Sequence, residues 1–135
     1  IKFSPLEEKA NQAASLRSQV FNYALQFVGG RYVWGGNDPH TGADCSGFVK
    51  YVLSHVAGVG LPRTSREQAK TGRSVKSSEM RPGDLIFYTN SKGTVNHVAM
   101  YIGNGQIVHA ASRRSGIKIS TWNYRTPKTI RSFLD

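Results

Sequence analysis

Hydrophobic residues recur at Leu6, Ala10, Ala13, Leu16, Val20, Ala24 and Phe27, the three-to-four-residue spacing of one helix face. Ser4-Pro5-Leu6-Glu7 opens this run as a helix start, with a serine cap, a proline in the first turn and a glutamate three residues after the cap. Gly29-Gly30 closes it. A second stripe, Phe48, Val49, Val52, Leu53 and Val56, follows Asp44 and Cys45 and runs into Gly58 and Gly60. It predicts a helix with Asp44 as N-cap and Cys45 in the first turn. The loop through residues 32–43 delivers the chain to that helix. A polar, basic stretch over 63–79 carries a short helix near 65–70. Beyond the Pro82-Gly83 turn the pattern changes to short apolar runs between turn signals. These predict strands at 84–88, 97–102, 106–110 and 117–120, and a last one near 130–134. Helices first and strands second predict an α+β domain, with the helix of Cys45 packed on a C-terminal antiparallel sheet. No repeat, low-complexity segment or interdomain linker interrupts the 135 residues, so one domain over 1–135 is expected, large enough for a real core.

Cys45 is the only cysteine. Lone cysteines in folded domains are usually small buried hydrophobes. The position of this one changes the reading. At a helix start, unpaired backbone N–H groups and the positive end of the helix dipole favour thiolate over thiol. Asp44 works against the thiolate, so a histidine partner must matter. Four histidines are available. His40 lies in a turn-rich loop and is expected to be solvated, and His55 falls near the end of the Cys45 helix, where a histidine is unremarkable. His97 opens the run Val98-Ala99-Met100-Tyr101-Ile102, and His109 closes Gln106-Ile107-Val108. One thiol and two placed imidazoles are the parts of a cysteine nucleophile, its base and an orienting group. They do not make a zinc set.

Gly103-Asn104-Gly105 between the two runs signals a hairpin, and its length decides whether the histidines meet. A two-residue Asn-Gly loop sets His109 opposite Met100, on the sheet face away from His97. A three-residue loop sets it opposite Ala99, on the same face. A catalytic pair requires the second register or a compensating bulge.

The segments that carry these residues, taken together, resemble a known family. They are Tyr32-Val33-Trp34-Gly35-Gly36, Thr41-Gly42-Ala43-Asp44-Cys45-Ser46-Gly47-Phe48, Leu61-Pro62-Arg63-Thr64-Ser65-Arg66-Glu67-Gln68, Arg81-Pro82-Gly83-Asp84-Leu85-Ile86-Phe87, Asn96-His97-Val98-Ala99-Met100-Tyr101-Ile102-Gly103 and Ile107-Val108-His109-Ala110. Their order and spacing are similar to the NlpC-type family of bacterial cell-wall cysteine peptidases, a compact papain-like fold. The departure is at the end, where that family often has a paired-arginine strand and this chain reads Thr129-Ile130-Arg131-Ser132-Phe133-Leu134-Asp135. The resemblance implies Cys45 as nucleophile, His97 as general base and His109 as the third, orienting group. It implies that the Tyr32 hydroxyl helps hold the oxyanion, and that Asp44 and Ser46 grip the free amino end of a substrate peptide. Trp34, Arg63 and Gln68 are expected to line the cleft or support it. The implied activity is a peptidoglycan D,L-endopeptidase that cuts between γ-D-glutamyl (or D-isoglutamine) and the diamino acid through a Cys45 thioester, with no cofactor and no metal. The same triad would also suit a wall amidase or acyltransferase, and a non-catalytic wall-binding module is the remaining alternative.

Composition limits the partners. Eighteen Lys and Arg against eight Asp and Glu give a formal charge of +10, a surface that favours polyanions. Nucleic acid is the generic partner of such a chain, but the basic residues are scattered and no helix-turn-helix, zinc-finger or RNA-stacking motif accompanies them. Peptidoglycan stem peptides as substrate, and anionic wall polymers along the basic surface, account for the charge equally well. Arg113-Arg114, beside His109, either touches acidic substrate groups or forms a solvated turn. Hydrophobic content of 39% is ordinary, and no apolar run approaches membrane-spanning length. The chain starts at Ile1 with neither an initiator methionine nor a signal peptide. The expectation is therefore a monomeric catalytic domain excised from a longer secreted, wall-associated protein, in which a lone thiol is one that is used.

Overall fold

The computed structural model describes Lys2 and residues 4–135. The first helix, α1, spans Pro5–Leu25, and Ser4 caps it by accepting the Glu7 N–H at 3.2 Å. Its apolar stripe is used unevenly. Leu6 is 80% exposed, whereas Val20 and Ala24 are fully buried and Phe27 joins them from the turn beyond the helix. Only the C-terminal half of α1 therefore packs on the domain. Arg17, which the hydrophobic pattern passes over, fixes that half in place. Its guanidinium donates to Asp84 Oδ1 at 2.8 Å, to the Pro82 carbonyl at 3.1 Å and to Ser132 Oγ at 3.0 Å, and also binds Asp135. A buried ion pair of this kind gains little net stability after desolvation, but losing one partner would leave an uncompensated buried charge.

The loop after α1 forms a small antiparallel hairpin, β1 (Asn37–Asp38) with β2 (Gly42–Ala43), that leads directly into α2 (Cys45–Ala57). The predicted cap is present: Asp44 accepts the Gly47 N–H at 2.8 Å, and α2 ends at left-handed Gly58. A short α3 (Ser65–Gln68) follows, then β3 (Arg73–Ser74) and a 3-10 turn at Ser77–Glu79. The remaining strands are β4 (Leu85–Thr89), β5 (Val95–Gly103), β6 (Gln106–Ser112), β7 (Gly116–Thr121) and β8 (Pro127–Ser132). The antiparallel sheet runs β3-β8-β4-β5-β6-β7. The α+β arrangement is the one the pattern predicts. The last strand starts and ends earlier than expected and lies between β3 and β4. Its buried positions, Ile130 and Ser132, include only one apolar residue, which is why periodicity places it poorly.

Each face of the sheet has its own core. Phe48, Val49, Val52 and Leu53 of α2 and Val20 and Ala24 of α1 pack on Leu85, Phe87, Val98, Met100, Val108 and Ala110. The alternate residues Ile86, Tyr88, Ala99, Ile107 and Ile130 form a smaller cluster on the far face. Among the described residues no helix is long and apolar enough to cross a membrane.

The start of α2 is pressed against the preceding loop. A Cβ on Gly47 would stand 2.1 Å from the Gly36 carbonyl oxygen, a backbone atom that cannot swing away. Gly47→Ala should therefore destabilise the fold by about 1–3 kcal/mol, as overpacking of a tight contact does. Urea unfolding measures this, and an unchanged midpoint would show that the loop yields freely.

Candidate active site

β5 and β6 are joined by Asn104-Gly105, both left-handed with φ of 54° and 73°, the two-residue type I′ turn. That loop alone would part the histidines. Gly103 pairs with Gln106, yet Tyr101 pairs with Ile107 and Met100 with Val108, so Ile102 is an extra residue in β5. This bulge shifts the register by one and returns His109 to the face of His97. The three-residue loop of the sequence reading is thus replaced by its alternative, a two-residue turn with a compensating bulge. A second irregularity precedes His97, where Tyr88 pairs with His97 but Thr89 pairs with Val95, leaving Asn96 as the odd residue.

The rings meet. His97 Nε2 lies 2.7 Å from His109 Nδ1, and His109 Nε2 lies 2.9 Å from Ser120 Oγ. Only 6% of His97 and 1% of His109 is exposed. Burial lowers the pKa of both, and the neighbouring charges of His109 and Arg125 on His97, and of Lys118 and Arg125 on His109, push the same way. Both imidazoles are therefore neutral near pH 7. A neutral chain of two hydrogen bonds has two proton arrangements. In one, His97 Nε2–H donates to His109 Nδ1 and His109 Nε2–H donates to Ser120. In the other, both donations reverse. Only the first leaves a lone pair on His97 Nδ1, the nitrogen not engaged by His109.

Around this chain, Tyr88 packs 6.0 Å from the His97 ring and Tyr124 5.4 Å from the His109 ring, centre to centre. Arg125 sits over Tyr88, with its guanidinium carbon 5.7 Å from the ring centre, and donates to Asn96 Oδ1 at 2.8 Å and to the Thr89 carbonyl. Ser120, Tyr124 and Arg125 were missed by the sequence reading. Ser120 was hidden by a further irregularity: the β6–β7 turn, with Ser112 opposite Gly116, would by itself set Ile119 opposite His109, but a register shift between Ala110 and Ser112 sets Lys118 there, so Ser120, two residues on, shares the face of His109. Tyr124 and Arg125 lie between strands, where no periodicity marks them.

Cys45, 8% exposed, opens α2 as predicted and shares a cleft of ≈840 Å³ with His97, Tyr32, Trp34, Arg63 and Arg125. Its electrostatics differ from the expectation. Burial pushes the thiol pKa up and Asp44 adds to this, while the N–H groups of Val98, Ser46 and Cys45 oppose it without prevailing. Among the described residues no hydrogen bond joins Sγ to the His97 ring, although one was expected; catalytic hydrogen bonds are often loose before substrate arrives. At rest the thiol and the imidazole are both neutral.

The other expected site residues gather at the same cleft. Both oxygens of Asp44 are occupied: Oδ1 accepts from Gly47 N, Ser46 Oγ and Arg63, and Oδ2 from Gly35 N and Arg63, at 2.8–3.3 Å. Arg63 also donates to Ser46 Oγ at 2.8 Å and to the Gly36 carbonyl at 3.2 Å. Asp44 is therefore a cap and loop clamp with its charge already countered, and an incoming ammonium group would compete with Arg63 for it. Tyr32 is half-buried. Burial first, then Cys45 and Asp44, raise its pKa against Arg113 and Arg63, so its hydroxyl stays a donor near pH 7. Trp34 is 78% exposed at the rim. Gln68 is fully buried and donates to the Ser46 and Pro62 carbonyls, a supporting role. His40 pairs with Asp38 at 2.8 Å, and His55 stacks on Tyr51, both within an aromatic group that includes Tyr23.

Known proteins bear on this geometry. The sequence model of the NlpC/P60 family matches residues 29–132. The murein DD-endopeptidase MepH of Escherichia coli is 34% identical over 128 residues, which is 83% of this chain and 47% of that protein. The bifunctional muramidase/DL-endopeptidase CwlT of Bacillus subtilis is 40% identical over 103 residues, 75% of this chain and 30% of that protein. The solved structure of the peptidoglycan hydrolase RipB of Mycobacterium tuberculosis superposes with a TM-score of 0.79 at 29% identity, over 99% of this chain and 74% of that one. The chain thus spans less than half the length of either of these two curated relatives.

Because Cys45 is the only thiol, alkylation reports on it alone. Its rate with iodoacetamide in the absence of substrate should keep climbing to about pH 9 and above, as for a thiol held above the ordinary range near 8.5. A rate already level at about pH 6 would reveal a resting thiolate and contradict the neutral pair.

Proposed function

Because the chain belongs to the NlpC/P60 family, we propose that it hydrolyses a peptide bond of the peptidoglycan stem, with Cys45 as nucleophile and His97 as its base. The observation that carries this reading is the polar chain from His97 to His109 to Ser120, which leaves His97 Nδ1 outside the chain while His97 and the only thiol line one cleft.

The steps follow from neutral partners. As Sγ attacks the carbonyl carbon, the thiol proton passes to His97 Nδ1, so the thiolate exists only as it reacts. The imidazolium formed keeps its Nε2–H on His109, whose neutral Nδ1 accepts it and holds the ring plane. The Tyr32 hydroxyl and the N–H groups at the start of α2 are the donors at hand for the oxyanion. Collapse of the tetrahedral adduct breaks the C–N bond, and His97 returns its proton to the leaving amine. Water, deprotonated by His97, then attacks the thioester, releasing the carboxylate product and the Cys45 thiol. Proton transfer of this kind is worth roughly 10²–10⁴ in rate.

In its finer form the proposal is a D,L cut between γ-D-glutamyl (or D-isoglutamine) and the diamino acid. CwlT, a DL-endopeptidase by name, supports this bond, and MepH, a DD-endopeptidase by name, supports a second reading in which the bond cut lies between two D-centres. In this reading Trp34, Ser46 and Arg63, which line the cleft, touch the peptide, and Asp44 acts through Arg63. Work on the wall sets the protein outside the membrane, where a charge of +10 favours adhesion to anionic wall polymers.

Digestion of defined muropeptides with mass spectrometry of the products tests the proposal. Cut stem peptides are expected. Release of whole stems from the sugar would mean an amidase, and activity that survives Cys45→Ala would overturn the nucleophile. His97→Ala should cost about 10²–10⁴-fold and His109→Ala less, since only orientation is lost. Equal losses would remove the division of roles.

A further inference from the structure

Beside the catalytic cleft lies a second concavity of ≈550 Å³, lined by Arg31, Tyr32, Trp34, Arg113, Arg114 and Ser115 among others. Tyr32 and Trp34 belong to both walls, so the two spaces adjoin. The second one is built on fixed backbone. Gly29 N–H donates to the Ile117 carbonyl at 2.8 Å and Ile117 N–H to the Gly30 carbonyl at 3.0 Å, which joins the loop after α1 to β7. Gly116, at φ 65°, lets that seam close, because a Cβ there would stand 2.3 Å from the Gly30 oxygen. Ser115 N–H donates to Ser112 Oγ at 3.2 Å and the two hydroxyls meet at 2.8 Å, closing the β6–β7 turn with Arg113 and Arg114 between them. The Arg31 carbonyl accepts the Ala43 N–H at 3.2 Å.

The charge of this pocket is unbalanced. Arg17, Arg63, Arg73 and Arg81 each pair with an aspartate. Among the described residues Arg31, Arg113 and Arg114 have no carboxylate partner, and no acidic side chain lines the pocket. The positive field reaches the cleft, since Arg113 is one of the groups that act on the Tyr32 hydroxyl. Three arginines without a carboxylate partner line one hollow, and an anion bound there relieves the repulsion among their like charges. Guanidinium forks match the planar carboxylate in bidentate geometry, while the Trp34 and Tyr32 rings offer an apolar wall to the chain that bears it.

We propose that the pocket of Arg31, Arg113 and Arg114 is an anion subsite that takes a free carboxylate of the wall peptide lying across Cys45. It rests on the peptidase reading above. The subsite makes the enzyme a reader of side-group amidation: a stem residue presented as the acid is held, and the same residue presented as its primary amide is not. D-glutamate against D-isoglutamine, and a diamino acid with a second carboxyl group against its amide, are the pairs that differ in this way.

The test uses both pairs of muropeptides. Binding is measured by calorimetry on the Cys45→Ala chain, and kcat/KM on the active chain. Wild type should favour the acid over the amide by about ten- to a hundred-fold at one of the two positions, the worth of hydrogen bonds to a charged group. Arg31→Gln, Arg113→Gln and Arg114→Gln, singly and combined, should collapse that ratio. Lys9→Gln makes the same charge change ~24 Å along α1 from its C-terminal end and should leave the ratio alone. Equal treatment of acid and amide by wild type, or a ratio that survives the triple variant, overturns the subsite. So does arginine-dependent binding of polyglycerol phosphate accompanied by no acid preference, which would mark a polymer-binding patch. The binding arm reads the subsite whether or not a bond is cut, so failure of the peptidase reading shows separately as absence of products.

Discussion

In an antiparallel sheet, neighbouring residues on a strand point to opposite faces, so two side chains meet across a hairpin only if the parity of the register allows it. His97 and His109 belong to one hairpin, and its type I′ turn has the wrong parity for them. Ile102, inserted as a bulge in β5, corrects it. The contact between the imidazoles at 2.7 Å depends on that one residue, and the rest of the site follows from the contact. His109 is held by Ser120 from β7, Tyr88 and Tyr124 close over the rings, and His97 is left with a single nitrogen directed elsewhere.

Packing sets the electrical state of the site. The start of α2 supplies N–H groups to a thiolate, but the sulfur is too deeply buried, and Asp44 too close, for them to decide the matter. The histidines, buried and near Arg125, are equally reluctant to carry charge. The clamp of Arg63 on Asp44 serves this arrangement. It ties the hairpin ahead of Cys45 to the loop after α2 and counters the Asp44 carboxylate beside Cys45. The result is a resting site whose proton stays on sulfur.

The starts of α1 and α2 were legible as sequence, because capping is local: Ser4 and Asp44 do at their helices what their neighbours predict. The Cys45, His97 and His109 set was legible from motif spacing, and the hairpin was legible as a choice between two registers. The choice itself was not, since nothing about Ile102 distinguishes a bulged residue from a paired one until the flanking strands are aligned. Contacts between distant segments were also hidden. Arg17 sits in a helix and meets Asp84 and Ser132, and Arg125 reaches Asn96 from a loop with no periodic signal. The basic surface looked scattered along the chain, yet folding brings Arg31 and the Arg113-Arg114 turn to one hollow.

The claim on which the account rests is that His97 waits as a neutral base with its lone pair on Nδ1. Nitrogen-15 NMR of the labelled histidine rings at pH 7 reads this directly. The account predicts neutral His97 and His109, each protonated at Nε2. A proton on His97 Nδ1, or an imidazolium at His97 in the resting protein, would contradict it.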